Sequence, residues 1–217
     1  MIKVVTKIEI KDKKVLIDIN DEYYTYLFTR DIRKVKFKAI IQEEHELTDE
    51  DLEVIVKHVI TRGKRRIMHL LGKMDYPKAK LEARLAKDGY IDEHIAIILE
   101  SFVEKGFIND VNLVNRRVET FRANKSIKEI RFKMRSQGFT KEDINEAIND
   151  KFNEGDELES AIKLLNKKFV LKRLRLEEHE LKKKALGFLA RKGYPINICF
   201  KAFDTFMEES TLNDEEW

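Results

Sequence analysis

The sequence predicts a mainly α-helical chain: tandem three-helix repeats forming an elongated, curved body, preceded by an N-terminal β-hairpin. Three observations carry that expectation. Apolar residues alternate with polar ones near the N-terminus, then recur at helical spacing from Leu52 onward. One pattern of helix ending appears three times, as Leu81, Leu85, Gly89, Tyr90, as Ile130, Met134, Gly138, Phe139 and as Ala185, Leu189, Gly193, Tyr194. Only two prolines interrupt 217 residues, which suits closely spaced helices with few long linkers.

The hairpin comes first. Residues 3–10 and 13–19 are rich in Val and Ile, alternate in polarity, and are joined by a short turn at Lys11-Asp12. Tyr24, Tyr26 and Phe28 extend the alternation into a third strand, and a short helix is expected near residues 30–37. An acidic connector from Gln42 to Glu53 follows, with Thr48 or Asp49 placed to cap a long helix.

The first repeat is expected at 41–108, with helices near 49–73, 77–88 and 92–105. The second, at 109–154, has helices near 110–122, 126–137 and 141–152. The third, at 155–217, has helices near 156–170, 177–192 and 195–208 and ends in an acidic tail. Leu52, Ile55, Val56 and Val59 form one apolar stripe, and Leu158, Ile162, Leu165 and Phe169 form another. Residues 1–40 are read as an extension separable from the repeats.

The repeated ending has a physical meaning. A chain leaving a helix through a Schellman cap needs a left-handed residue at C′, where glycine avoids a cost of roughly 1–2 kcal/mol. With glycine at C′ the aromatic is C″ and the residue four before the glycine is C3. Leu85 should therefore meet Tyr90, Met134 meet Phe139, and Leu189 meet Tyr194.

Charge is banded although the net value is only +3. Residues 62–136 carry +8 and residues 161–201 carry +9, separated by −6 over 137–160 and followed by −6 to Trp217. Two basic zones of this size fit an anionic partner. On the second helix of repeat two, Lys128, Arg131 and Arg135 share a face beside Ile127, Ile130 and Met134. In repeat three Lys168, Lys172 and Arg175 run beside Leu165 and Phe169, and Arg116 and Arg117 are candidates to extend the stripe. These eight residues are the expected binding set. Phosphate contacts of this kind grip without reading sequence.

The other chemistry is sparse. The five histidines, at 45, 58, 69, 94 and 179, are scattered and form no His-Glu-x-x-His pair. Gly63-Lys64 and Gly72-Lys73 lack the rest of a phosphate loop. The lone Cys199 lies between Ile198 and Phe200 and reads as a buried small hydrophobe. Tyr23, Tyr24 and Tyr26 fit strand packing more simply than base stacking. No catalytic residue, metal or cofactor is expected. With no run of eighteen apolar residues, the chain is read as cytoplasmic with no membrane contact.

The stretch from Lys87-Asp88-Gly89-Tyr90 through Gly106-Phe107-Ile108-Asn109-Asp110 to Ser136-Gln137-Gly138-Phe139 resembles the RecX family in its spaced glycine-aromatic pairs and central Asn-Asp. The likeness spans roughly residues 60–207. Where the family often has Arg-Ser before the second helix of its first repeat and a glutamate three residues on, this chain has Tyr76-Pro77 and Lys80. The resemblance implies a non-catalytic regulator that binds the RecA recombinase filament and inhibits its ATPase and strand exchange. Weaker, non-specific binding to single-stranded DNA and a monomeric state are expected as well. The rival readings are a helical-repeat nucleic-acid binder acting without a recombinase and, last, an enzyme.

Overall fold

The structure, a computed structural model, describes residues 3–32, 42, 44–153, 155–173 and 175–214. The first elements are β1 (Lys3–Lys11), β2 (Lys14–Ile19), β3 (Glu22–Phe28), α1 (Thr29–Ile32) and β4 (Glu46–Leu47). Three groups of three helices follow: α2 (Asp49–Leu71), α3 (Lys78–Asp88) and α4 (Asp92–Val103); α5 (Asp110–Arg122), α6 (Ile127–Ser136) and α7 (Lys141–Lys151); α8 (Asp156–Arg173), α9 (Glu178–Arg191) and α10 (Ile196–Asp214). The chain divides into two compact units, 1–109 and 110–217.

In the first unit the sheet order is β3-β2-β1-β4, all antiparallel. Both hairpin turns are two-residue turns with left-handed central residues, Asp12-Lys13 and Asn20-Asp21. That backbone matches the strand twist. The first turn thus lies one residue later than the sequence suggested. The expected short helix is seen at Thr29–Ile32, and its remainder to residue 37 lies outside the described residues.

Two expectations are corrected here. The acidic connector is not a plain linker, because its Glu46 and Leu47 pair with Val4 and Lys3 as a fourth strand. Nor does the sheet pack by itself, as an extension apart from the repeats would. Val5, Ile17, Ile19 and Leu27 from the strands share one core with Leu52, Ile55 and Val59 of α2 and Leu85 of α3. Polar groups fasten the same seam. The Arg62 guanidinium donates to the Tyr26 carbonyl at 2.7 Å and to the Tyr90 hydroxyl at 2.9 Å, with its centre 3.9 Å from the Tyr26 ring centroid. Burial of Tyr26 pushes its phenol up to about 12, even against the opposing charge of Arg62.

Thr48 caps α2 through a full capping box with Asp51. Each of the three repeated endings is a Schellman cap. Gly89, Gly138 and Gly193 have φ of 96°, 96° and 88°. Tyr90, Phe139 and Tyr194 donate their backbone N–H to the carbonyls of Leu85, Met134 and Leu189 at 3.1, 3.3 and 3.2 Å. A fourth cap closes α4, where Gly106 is left-handed and Phe107 N–H reaches the Phe102 carbonyl at 2.9 Å.

The second unit holds two cores. Leu113, Val114 and Val118 of α5 pack with Ile130 and Met134 of α6 and Ile144 and Ile148 of α7. Leu165 and Phe169 of α8 pack with Leu181 and Leu189 of α9 and Phe203 and Phe206 of α10. A polar staple joins them. Ser126, the N-cap of α6, donates its hydroxyl to the Lys192 carbonyl at 2.7 Å, and the Glu157 carboxylate accepts the Ile127 N–H at 2.9 Å.

Candidate functional site

The basic residues of the second unit fall into three situations. Lys128, Arg131 and Arg135 occupy positions i, i+3 and i+7 of α6, a single face beside the buried edge of Ile130 and Met134. They line a groove of about 660 Å³ whose apolar floor includes Ile127, Ala190, Tyr194 and Pro195. Lys128 and Arg135 are exposed. Arg131 is half-buried and donates to the side-chain oxygen of Asn145 on α7, so part of its hydrogen-bonding capacity serves the repeat itself.

Lys168 and Lys172 lie one turn apart on α8 and line a second groove, of about 510 Å³, against α9. The Lys168 ammonium is 3.9 Å from the Phe188 ring centroid, and that of Lys172 is 5.2 Å from Phe169. Such contacts hold the charges over an apolar wall while leaving them in water. Arg116, Arg117 and Arg175 line neither groove. Arg116 and Arg175 are exposed, the latter in the turn after α8. Arg117 is half-buried, donates to the Gln137 side chain and lies 5.3 Å from the Phe139 ring centroid, bracing the cap of α6.

The folded chain adds residues that the spacing argument passed over. Lys183, Lys184, Arg191 and His179 from α9 face the second groove. The run Lys182-Lys183-Lys184 was the available signal. Glu180 is the acid on that wall, held below the usual carboxylate range by its hydrogen bond and charge contact with Lys184. In the first groove the missed residue is Phe132, on the same α6 stripe as Lys128 and 73% exposed. An aromatic on an otherwise cationic face was its signal. Glu157, also lining that groove, has its carboxyl pushed up by burial, partly offset by the Ile127 N–H. Burial likewise pushes Tyr194 up to about 12 despite its contact with Ser160.

Among the described residues no group of three or more His, Cys, Asp or Glu is arranged to hold a metal ion. No helix there is long and apolar enough to cross a membrane. His94 is buried, stacks edge-on against Tyr24 at 5.3 Å, and has its imidazole pushed down by desolvation. Cys199 is buried in the core of the third helix group.

Comparison with known proteins bears on the fold and the family. A family model described as RecX, third three-helix domain, matches residues 155–203. A protein named regulatory protein RecX from Mycolicibacterium smegmatis is 30% identical over 146 residues, covering 64% of this chain and 76% of its own length. Its namesake from Trichlorobacter lovleyi is 27% identical over 140 residues, covering 63% of this chain and 90% of its own. A crystal structure of regulatory protein RecX superposes with a TM-score of 0.60 at 18% identity, covering 95% of this chain and 99% of the other. That of RecX from Lactobacillus salivarius gives 0.61 at 19%, covering 72% and 99%. At those identities the structures speak for the fold, while the sequence relatives, with three successive glycine-capped helix groups, place this chain in the RecX family of regulatory proteins.

Proposed function

We propose that this protein regulates a RecA-type recombinase by lying on the RecA–DNA filament and lowering its ATP hydrolysis and strand exchange, and so acts on homologous recombination and DNA repair without chemistry of its own. The observation that carries the reading is the pair of cation-lined grooves, on α6 and between α8 and α9. Two separate basic faces suit a partner that offers phosphates and acidic protein surface together. The name regulatory protein RecX on the relatives supports the same reading. The protein works in the cytoplasm as a monomer, and binds bare single-stranded DNA more weakly and without sequence preference.

A second reading, a nucleic-acid binder that needs no recombinase, draws on the lysine-rich α8/α9 groove alone. One titration separates them. ATP hydrolysis by RecA on single-stranded DNA is followed as the protein is added up to equimolar amounts. Falling hydrolysis supports the first reading. Unchanged hydrolysis, with DNA binding retained, leaves the second.

A further inference from the structure

Phe132 is the most exposed large apolar side chain among the described residues, at 73%. Its helix does not need it. The buried edge of α6 is already supplied by Ile130 and Met134, both fully enclosed. Phe132 instead occupies the outward stripe, four residues after Lys128 and three before Arg135. Beside it lies the apolar floor formed by Ala190, Tyr194 and Pro195.

The two grooves differ in kind. Arginine and aromatic residues over an apolar floor make up the composition of protein-contact centres, where a few such side chains carry most of the affinity. The α8/α9 groove also has aromatic lining, Phe169 and Phe188, and one acid, Glu180, but its cations are mainly lysines, Lys168, Lys172, Lys183 and Lys184, with Arg191 the one arginine. Lysine ammoniums are compact, strongly hydrated charges that meet phosphates without geometric demand. Glu157 is the acid in the α6 groove, and its carboxylate is turned to the Ile127 N–H.

We propose that the α6 stripe is a protein-contact face that takes an acidic segment carrying a bulky apolar side chain, with Phe132 as anchor and Lys128 and Arg135 paired to its carboxylates. The α8/α9 groove is left to phosphates. This division rests on the filament reading above, and the acidic segment belongs to the filament's protein component.

The test uses full-length Phe132→Ala and Phe132→Leu, each confirmed to melt as wild type does. Binding is measured by fluorescence anisotropy to a labelled single-stranded oligonucleotide, bare and coated with RecA, at one salt concentration. Phe132→Ala should weaken binding to the coated strand about tenfold or more, as expected for a contact centre, and leave bare-strand binding within about twofold. Phe132→Leu should keep most of the coated-strand affinity, because an apolar anchor needs no π-face. Equal loss on bare DNA for both variants would make Phe132 a base-stacking residue and overturn the assignment. No loss on either strand with Phe132→Ala overturns the anchor and leaves the filament reading standing. If wild type itself binds coated and bare strands alike, the filament reading fails and this assignment with it.

Discussion

The phenolic O–H of Tyr23 donates to the main-chain carbonyl of Gly89 at 2.6 Å, joining the third strand of the sheet to the glycine cap of α3. The same cap is approached by Tyr26, whose ring lies 3.3 Å from where a β-carbon on Gly89 would stand. The Lys14 ammonium adds a bond to the Asp88 carbonyl at 3.3 Å. The sheet and the first helix group therefore share polar contacts as well as a core.

Removing residues 1–40 should consequently cost the first unit its cooperative fold. Val5, Ile17 and Leu27 are fully enclosed, and burying such a side chain is worth about 1.5–3 kcal/mol. Losing several of them consumes much of a marginal stability of about 5–15 kcal/mol. Calorimetry of the truncated chain should show residues 41–109 melting without a sharp transition. A first unit that unfolds at the full-length temperature would restore the sheet to a separable extension.

Gly138→Val should destabilise the second unit by about 1–3 kcal/mol, since a β-branched residue is forced to a φ of 96°. Gly187→Ala provides the contrast. Gly187 lies within α9, and the nearest atom to an added β-carbon is the tip of Arg191 at 3.3 Å, a flexible group. Helix propensity then favours alanine by about 0.5–1 kcal/mol. Equal melting temperatures for Gly138→Val and wild type would contradict the cap's role.

His94 gives a pH dependence with a definite sign. Its imidazole is pushed below the ordinary value of 6.5 by burial, and Nδ1 has no hydrogen-bond partner among the described residues. The unfolded chain thus binds its proton first, so this contribution is intact above 6.5 and is lost as pH falls from there toward the lowered folded value. Glu157, with its carboxyl raised from 4.5, acts in the opposite direction in the acid range. Comparing wild type with His94→Leu isolates the histidine. The melting temperature of the variant should fall less between pH 7 and pH 5.5, and parallel curves would remove His94 from the account.

Changing Lys128, Arg131, Arg135, Lys168 and Lys172 together to Ala should preserve helical content, as exposed side chains contribute within about 0.5 kcal/mol each. Arg131 is the exception in degree, because its bond to Asn145 is lost as well. On the proposed filament reading, inhibition of RecA's ATPase should weaken, and binding to single-stranded DNA should become less salt-dependent by up to ~0.7 in slope per lost phosphate contact. A variant that inhibits as well as wild type would clear these five residues of the contact.

Local pattern was enough to read the two polarity periods, the hairpin, the helix phases and all three caps at Gly89, Gly138 and Gly193. Each of those depends on residues within one turn or one strand pair, and a left-handed φ or an apolar stripe leaves its mark in consecutive letters. It was also enough to pick out Lys128, Arg131 and Arg135 as one face, because helical geometry alone aligns them. The seam between the sheet and α2, the strand at Glu46–Leu47, the diversion of Arg117 to Gln137, and the meeting of α8 and α9 lysines around one groove came only from the folded chain. So did the role of Gly63, whose pairing with Lys64 makes no phosphate loop. An added β-carbon there would stand 2.2 Å from Ile98 Cδ1, so the glycine lets α2 and α4 approach. These features join residues far apart in sequence, and such contacts depend on which surfaces exclude water together and on the space left between them, a property of the packed chain that no short window of sequence carries.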